Sequence, residues 1–117
     1  MDRIVIAQQG EAKVYRINQI PAGITTMDVD RVSSGAAIIS HSESGHHHVL
    51  NCDSVVERTD NVPTGMRILF AIVTAPADLR QEAAAPHDPV TLDPGVYEFR
   101  IQREFDPFSK QARRVAD

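Results

Sequence analysis

An all-β fold, either a small barrel or a two-sheet sandwich of about eight mostly antiparallel strands, is what this chain predicts. Three observations predict it. No segment carries an apolar stripe sustained at the 3.6-residue helical period. Short runs in which apolar and polar residues alternate recur from one end of the chain to the other. Gly, Pro and Asp separate those runs at turn-like intervals. With 117 residues, the chain is expected to form one β domain over residues 1–117. That length suffices to bury roughly two-thirds of the unfolded surface without a covalent staple.

The elements follow in order. Arg3 to Gln8 alternates well enough for a first strand, and Gln9-Gly10-Glu11 turns the chain into a second, Lys13 to Asn18, with Tyr15 and Ile17 on one face. Pro21-Ala22-Gly23 breaks the pattern. Thr25, Met27 and Val29 alternate with Thr26, Asp28 and Asp30, the pattern of a half-buried outer strand. Ala36 to Ser40 is a small-residue apolar strand, Ser42-Glu43-Ser44-Gly45 reverses it, and His46 to Leu50 returns as its partner. Val55-Val56-Glu57 is a further short strand, and Asn61 to Gly65 a loop. Met66 to Thr74 is uninterrupted, as expected for a central strand covered on both faces. Ala77 to Ala85, between Pro76 and Pro86, reads as a loop or short helix. After Val90-Thr91-Leu92, the order Asp93-Pro94-Gly95 is that of a type II turn. Tyr97, Phe99 and Ile101 should then face the core, alternating with Glu98, Arg100 and Gln102. Arg103 and Phe105 continue that register, and an inward Arg103 would need a carboxylate partner.

The composition excludes several functions. A net charge of −4 gives no electrostatic case for nucleic-acid binding. Aromatic residues make up 5% of the chain and Trp is absent, which leaves no base-stacking platform. Charge is nevertheless uneven. Arg100, Arg103, Lys110, Arg113 and Arg114 make the end of the chain basic, with a tail at 106–117, while Asp28, Asp30, Asp53, Glu57 and Asp60 load the middle with acid. Cys52 is the single cysteine, so no intrachain disulfide and no thiolate zinc cluster can form. That suits a reducing cytoplasm, and the thiol is expected to act as a small buried hydrophobe. The longest apolar run, Ile68 to Val73, is strand-sized. No leader pattern or bilayer-length segment is present, and no membrane role is expected. A nucleophile elbow, a phosphate-cradling loop and a dinucleotide fingerprint are also missing.

Chemistry concentrates in one place. Four of the five histidines, His41, His46, His47 and His48, fall within the segment Ser40 to Val49. Neutral imidazole is the commonest protein ligand of transition metals. In a strand His46 and His48 share a face and His47 takes the other. Two imidazoles supply two of the three protein ligands that an open zinc or non-haem iron site needs. His41, across the turn, is placed to be a third, and His87 is the remaining histidine. Glu43 and Asp88 are the nearest carboxylates, suited to complete a two-His–one-carboxylate face, to orient a ligand, or to act as a general base. A divalent metal is therefore expected, zinc first, with iron or manganese as alternatives. Register decides between this and a plain polar hairpin. If Val49 faces the core, His47 does too and His46 and His48 point to water; if Leu50 is inward, His46 and His48 point in.

Several motifs carry a resemblance. Gln9-Gly10-Glu11, Gly45-His46-His47-His48, Pro89 to Tyr97, Gln102-Arg103-Glu104-Phe105-Asp106-Pro107-Phe108 and Arg114 to Asp117 together resemble a family of small proteins encoded by phages, prophages and related mobile elements. Its pattern runs Q-G-[DE], then G-H-x-H, then L-x-P-G-x-Y and Q-R-E-[YF]. Members tend to have H-x-x-H before the last hairpin, where this chain has Ala84-Ala85-Pro86-His87 and so keeps one of the two histidines. The family carries no activity to transfer. A weaker similarity is to cupins, β-barrels with metal on an H-x-H strand. Here no Glu follows His48 at the cupin interval and no histidine follows Gly95, so only fold is implied.

The resemblance implies a phage or prophage accessory protein in the cytoplasm of a bacterial host, with a histidine-lined metal site. It would bind or modulate a protein partner or small molecule of phage or host. Self-association through the Gln102–Phe105 strand and the basic end is a further expectation. Two alternatives stand beside this. One is a metal-dependent enzyme, of hydrolase or cupin-like oxygenase type, using the same histidines. The other is a virion structural or decoration protein whose histidines form a surface hairpin.

Overall fold

Alternation at period 2 places each strand's apolar residues on one face, and pairing such faces across about 10 Å creates a core. The computed structural model describes residues 3–9, 11–41, 47–82 and 89–102. Within them lie β1 (Ile4–Gln9), β2 (Ala12–Ile17), β3 (Thr26–Asp28), β4 (Ala37–Ser40), β5 (His48–Leu50), β6 (Ser54–Arg58), β7 (Met66–Val73), β8 (Ala77–Gln81), β9 (Val90–Leu92) and β10 (Gly95–Gln102). No helix occurs among the described residues, and none is long and apolar enough to cross a membrane.

Two sheets face each other. The first has six strands in the order β1-β2-β10-β7-β6-β3, the second four in the order β4-β5-β8-β9. Every strand pair is antiparallel. The hairpins β4–β5, β6–β7 and β8–β9 fall alternately in the second, first and second sheets, so the chain repeatedly crosses the core. No strand of one sheet pairs with a strand of the other, and the fold is a sandwich rather than a closed barrel.

The inter-sheet core takes the predicted inward set of β10, Tyr97, Phe99 and Ile101. Ala12 and Val14 join from β2, Leu69, Ala71 and Val73 from β7, and Ile39, Leu50, Leu79 and Leu92 from the second sheet. As expected, the middle of β7 is covered on both sides, although Ile72 near its end is exposed. Its other face presents Ile68 and Phe70, which pack with Ile17 against Ile20 and Ile24 of the β2–β3 connection. Tyr15 also lies on this outer face, sharing with Ile17 the side that alternation assigned.

Ten strands form among the described residues where about eight were expected, several of them only three residues long. Two expectations are corrected. The Ala77–Ala85 stretch is not a loop or short helix where it is described. Ala77–Gln81 is a strand, in which Ala77 and Leu79 point into the core while Asp78 is exposed. Its small apolar residues suffice because β5 and β9 flank it on both sides. Asp93-Pro94-Gly95 is not a type II turn, since the glycines at positive φ are Gly23, Gly35 and Gly65. It is a crossover between sheets, and Gly95 opens β10. A Cβ there would sit 2.6 Å from Nη2 of Arg16. That guanidinium donates to the Pro94 carbonyl at 2.9 Å and lies 5.6 Å from the Tyr97 ring centroid. The Ser42–Gly45 turn, Arg103, Phe105 and the 106–117 tail lie outside the described residues.

A polar staple holds the start of β3. The Thr25 amide donates to Oδ1 of Asp60 at 3.0 Å, and this bond, helped by the Arg58 side chain, holds the Asp60 carboxyl below its ordinary range. A depressed folded pKa means that the staple contributes fully above the unfolded carboxylate range and is lost as pH falls through the folded value. Asp60→Asn should therefore lower the urea midpoint at pH 7. The difference from wild type should vanish in the acid range, and a constant difference down to pH 2 would contradict it.

Candidate functional site

One end of the sandwich gathers polar side chains that alternation directs inward. There β1 ends and β2 begins, paired at Gln9 and Ala12. There too β10 finishes against the start of β7, with Gln102 opposite Met66. In the second sheet the same end holds the last residue of β4, the first of β5 and the last of β8, with Ser40 opposite His48 and His48 opposite Gln81. The chain leaves the described residues at this end after Gln9, His41, Glu82 and Gln102.

The register of β5 answers the question posed by the sequence. Leu50 belongs to the inter-sheet core, whereas Val49 packs with Ala36 and Ile38 on the outer face of the second sheet. His48 therefore points inward with Leu50, and it is 6% exposed. Its Nδ1 lies 2.7 Å from Oε1 of Gln9. The same Gln9 amide donates from Nε2 to the Leu79 carbonyl at 3.2 Å. A second bridge runs from the Ser40 hydroxyl to Oε2 of Glu11 at 2.6 Å. Arg67 adds a third, donating to the Ile39 carbonyl at 3.3 Å. Its fork is otherwise held by Glu57, at 2.8 and 3.1 Å. Gln9, Glu11 and Arg67 thus reach from the first sheet to β4, β5 and β8 of the second, and each buried polar group among them is matched to a partner.

Two further histidines are described, and they meet each other. His41 and His47 meet edge to face, with ring centroids 5.2 Å apart, and Nε2 of His41 lies 3.7 Å from Oδ2 of Asp30. The structure thus brings His41 to His47 and Asp30. His46, His87, Glu43 and Asp88 lie outside the described residues. No group of three or more His, Cys, Asp or Glu among the described residues is placed to hold a metal ion. The site therefore presents one buried imidazole in a polar setting, with the Glu11 carboxylate bonded to Ser40, the residue opposite it on β4.

Cys52 belongs elsewhere. It follows the far end of β5, and its thiol contacts the Ile72 carbonyl at 3.2 Å. Burial pushes its pKa up and Asp53 reinforces the rise, while a backbone hydrogen bond at Ser54 and the Arg31 charge oppose it. Such a thiol stays protonated at neutral pH and is a poor nucleophile. Iodoacetamide at pH 7 should alkylate Cys52 much more slowly in the folded protein than in urea; equal rates would contradict this burial.

Sequence reasoning alone did not find Gln9, Glu11, Ser40, Glu57 and Arg67 as parts of the site. One signal was present: Gln9-Gly10-Glu11 and the histidine segment recur together in the resemblance pattern, and the structure shows the first gripping the strand that carries the second.

A model of the family described as a domain of unknown function, DUF8820, matches residues 8–102. That span starts beside Gln9 and ends with β10, so it includes every side chain of the bridged end. Neither the curated proteins nor the solved structures contain a match to this chain.

Proposed function

We propose that this chain, which belongs to the DUF8820 family, is a small accessory binding protein that takes up one divalent transition metal, zinc first, at the bridged end of its sandwich. The single observation that carries the reading is His48, a buried imidazole at the bridged end whose Nδ1 is engaged by Gln9. Metal-bound histidines are typically held through the other ring nitrogen in this way. His41, His46 and His87 are the further ligands proposed from the sequence. Glu82 donates its amide to the His47 carbonyl at 2.8 Å, which ties the end of β8 to the residue before β5. The motif resemblance supports a phage or prophage origin and a role in binding a phage or host component.

The test is elemental analysis of protein purified without an affinity tag, before and after dialysis against a chelator. About one zinc per chain, with a melting temperature that falls on chelation, is expected. Absence of bound metal even after zinc is supplied would overturn the reading.

A further inference from the structure

We propose that β1 is a docking edge for a second copy of this chain: two β1 strands pair antiparallel about a twofold axis at Val5, joining the six-stranded sheets of both copies into one continuous sheet. The contact involves neither His48 nor the metal proposed for it.

A strand at the rim of a sheet presents a row of backbone N–H and C=O groups that another strand can pair. β1 holds that position outside β2, and among the described residues no strand pairs with its outer side. Its first three residues are apolar and open to solvent: Ile4 is 62% exposed, Val5 55% and Ile6 43%. Native edges are normally guarded by brevity, charge or cover, and the other rims show this. β3 and β9 have three residues each. β4 is buried throughout, covered where Arg31 bridges to Ala37 and the Ile38 amide donates to the Asp30 carbonyl. β1, by contrast, has six residues and no charge from Ile4 to Gln9. The nearest cation is drawn away from the rim. Arg3 donates to Oε2 of Glu98 on β10 at 3.1 Å, with its guanidinium 4.7 Å from the Tyr15 ring centroid on β2. A register shift between Val5 and Ala7 leaves Ile6 with no opposite residue on β2, and it adds no charge to repel a newcomer. A second copy supplies what this rim lacks. Antiparallel pairing about Val5 sets Val5 against its own counterpart and Ile4 against Ile6 on both sides of the axis, so each exposed apolar residue meets another. Such an interface is isologous and closes at two copies. One short strand per copy, against roughly 20–30 residues a side in a standard interface, gives a reversible dimer.

Sedimentation velocity of the full chain, from micromolar to near-millimolar concentration, reads the association. Wild type should pass reversibly from monomer to dimer and go no further. Val5→Lys sets two like charges face to face across the axis and should raise the dissociation constant at least about 10-fold. In a Cys52→Ser background, Val5→Cys tests the register itself. Cα atoms directly opposite in an antiparallel pair lie about 4.5–5.5 Å apart, within disulfide reach, so mild oxidation should link two chains. Met27→Cys is the matched control, equally exposed at 55% but on β3 at the other rim of the same sheet, and should not link. This pair of variants decides the question even where Val5→Lys fails to fold. A wild type that stays monomeric throughout would overturn the proposal, and slow hydrogen exchange at its Ile4–Ile6 amides would then assign the edge to another segment of the same chain. Val5→Lys associating as wild type does, a series of species larger than the dimer, no link in Val5→Cys, or Met27→Cys linking as readily would each overturn it too.

Discussion

Replacing His48 with alanine should abolish the zinc-dependent stabilisation that the proposed metal site predicts; this is the expected result with the largest functional effect. A ligand bound only by the folded state, at a thousandfold excess over its dissociation constant, adds about 4 kcal/mol to stability. For a domain of this size, 1 kcal/mol moves the melting temperature by roughly 4–8 °C, so the zinc-dependent rise should be plain in a thermal scan. In His48→Ala the rise should disappear. The substitution also removes the buried hydrogen bond between His48 and Gln9 Oε1, and losing such a bond costs about 0.5–1.5 kcal/mol. The metal-free variant should therefore melt below metal-free wild type as well. A variant that keeps the full zinc-dependent rise would remove His48 from the ligand set.

The largest effect on stability is expected from Phe99→Ala. Phe99 has no exposed surface and sits on β10 between Val14 of β2 and Leu69 of β7, where the six-stranded sheet faces the four-stranded one. Truncation removes the transfer free energy of the ring and leaves a cavity that paired strands on both sides cannot close. About 3–5 kcal/mol should be lost, a large part of what holds a domain of this size together. Ile72→Ala is the matched contrast, on the neighbouring strand but 41% exposed, and should stay much nearer wild type. Urea unfolding of both variants checks the pair, and equal losses would show that the inter-sheet core is not where Phe99 contributes.

Legibility of the candidate site was partial for a physical reason. His48 stood out because a cluster of imidazoles is a feature of composition and spacing. Whether it faced inward did not, because Val49 and Leu50 are both apolar and both buried. Their alternation identifies no solvent face, since each side of β5 packs against something: Leu50 against the inter-sheet core and Val49 against Ile38 and Ala36. Gln9 and Glu11 looked like ordinary turn residues. What makes them part of the site is contact with residues 39 and 29 positions away, and no local pattern encodes such contacts.

By itself the sequence determined the all-β class, the strands with strong alternation and the inward set Tyr97, Phe99 and Ile101. Period-2 burial is written into neighbouring residues and needs no knowledge of what covers the face. Only the tertiary structure decided that Ala77–Gln81 is a strand, that Pro94-Gly95 is a crossover rather than a hairpin turn, and that the Gln9–Glu11 turn of one sheet grips the histidine strand of the other. Those outcomes rest on which strands pair and which sheets face each other. A short run such as Ala77–Gln81 owes its conformation to β5 and β9 on either side, and Gln9 owes its role to a ring that only the closing of two sheets brings within 2.7 Å.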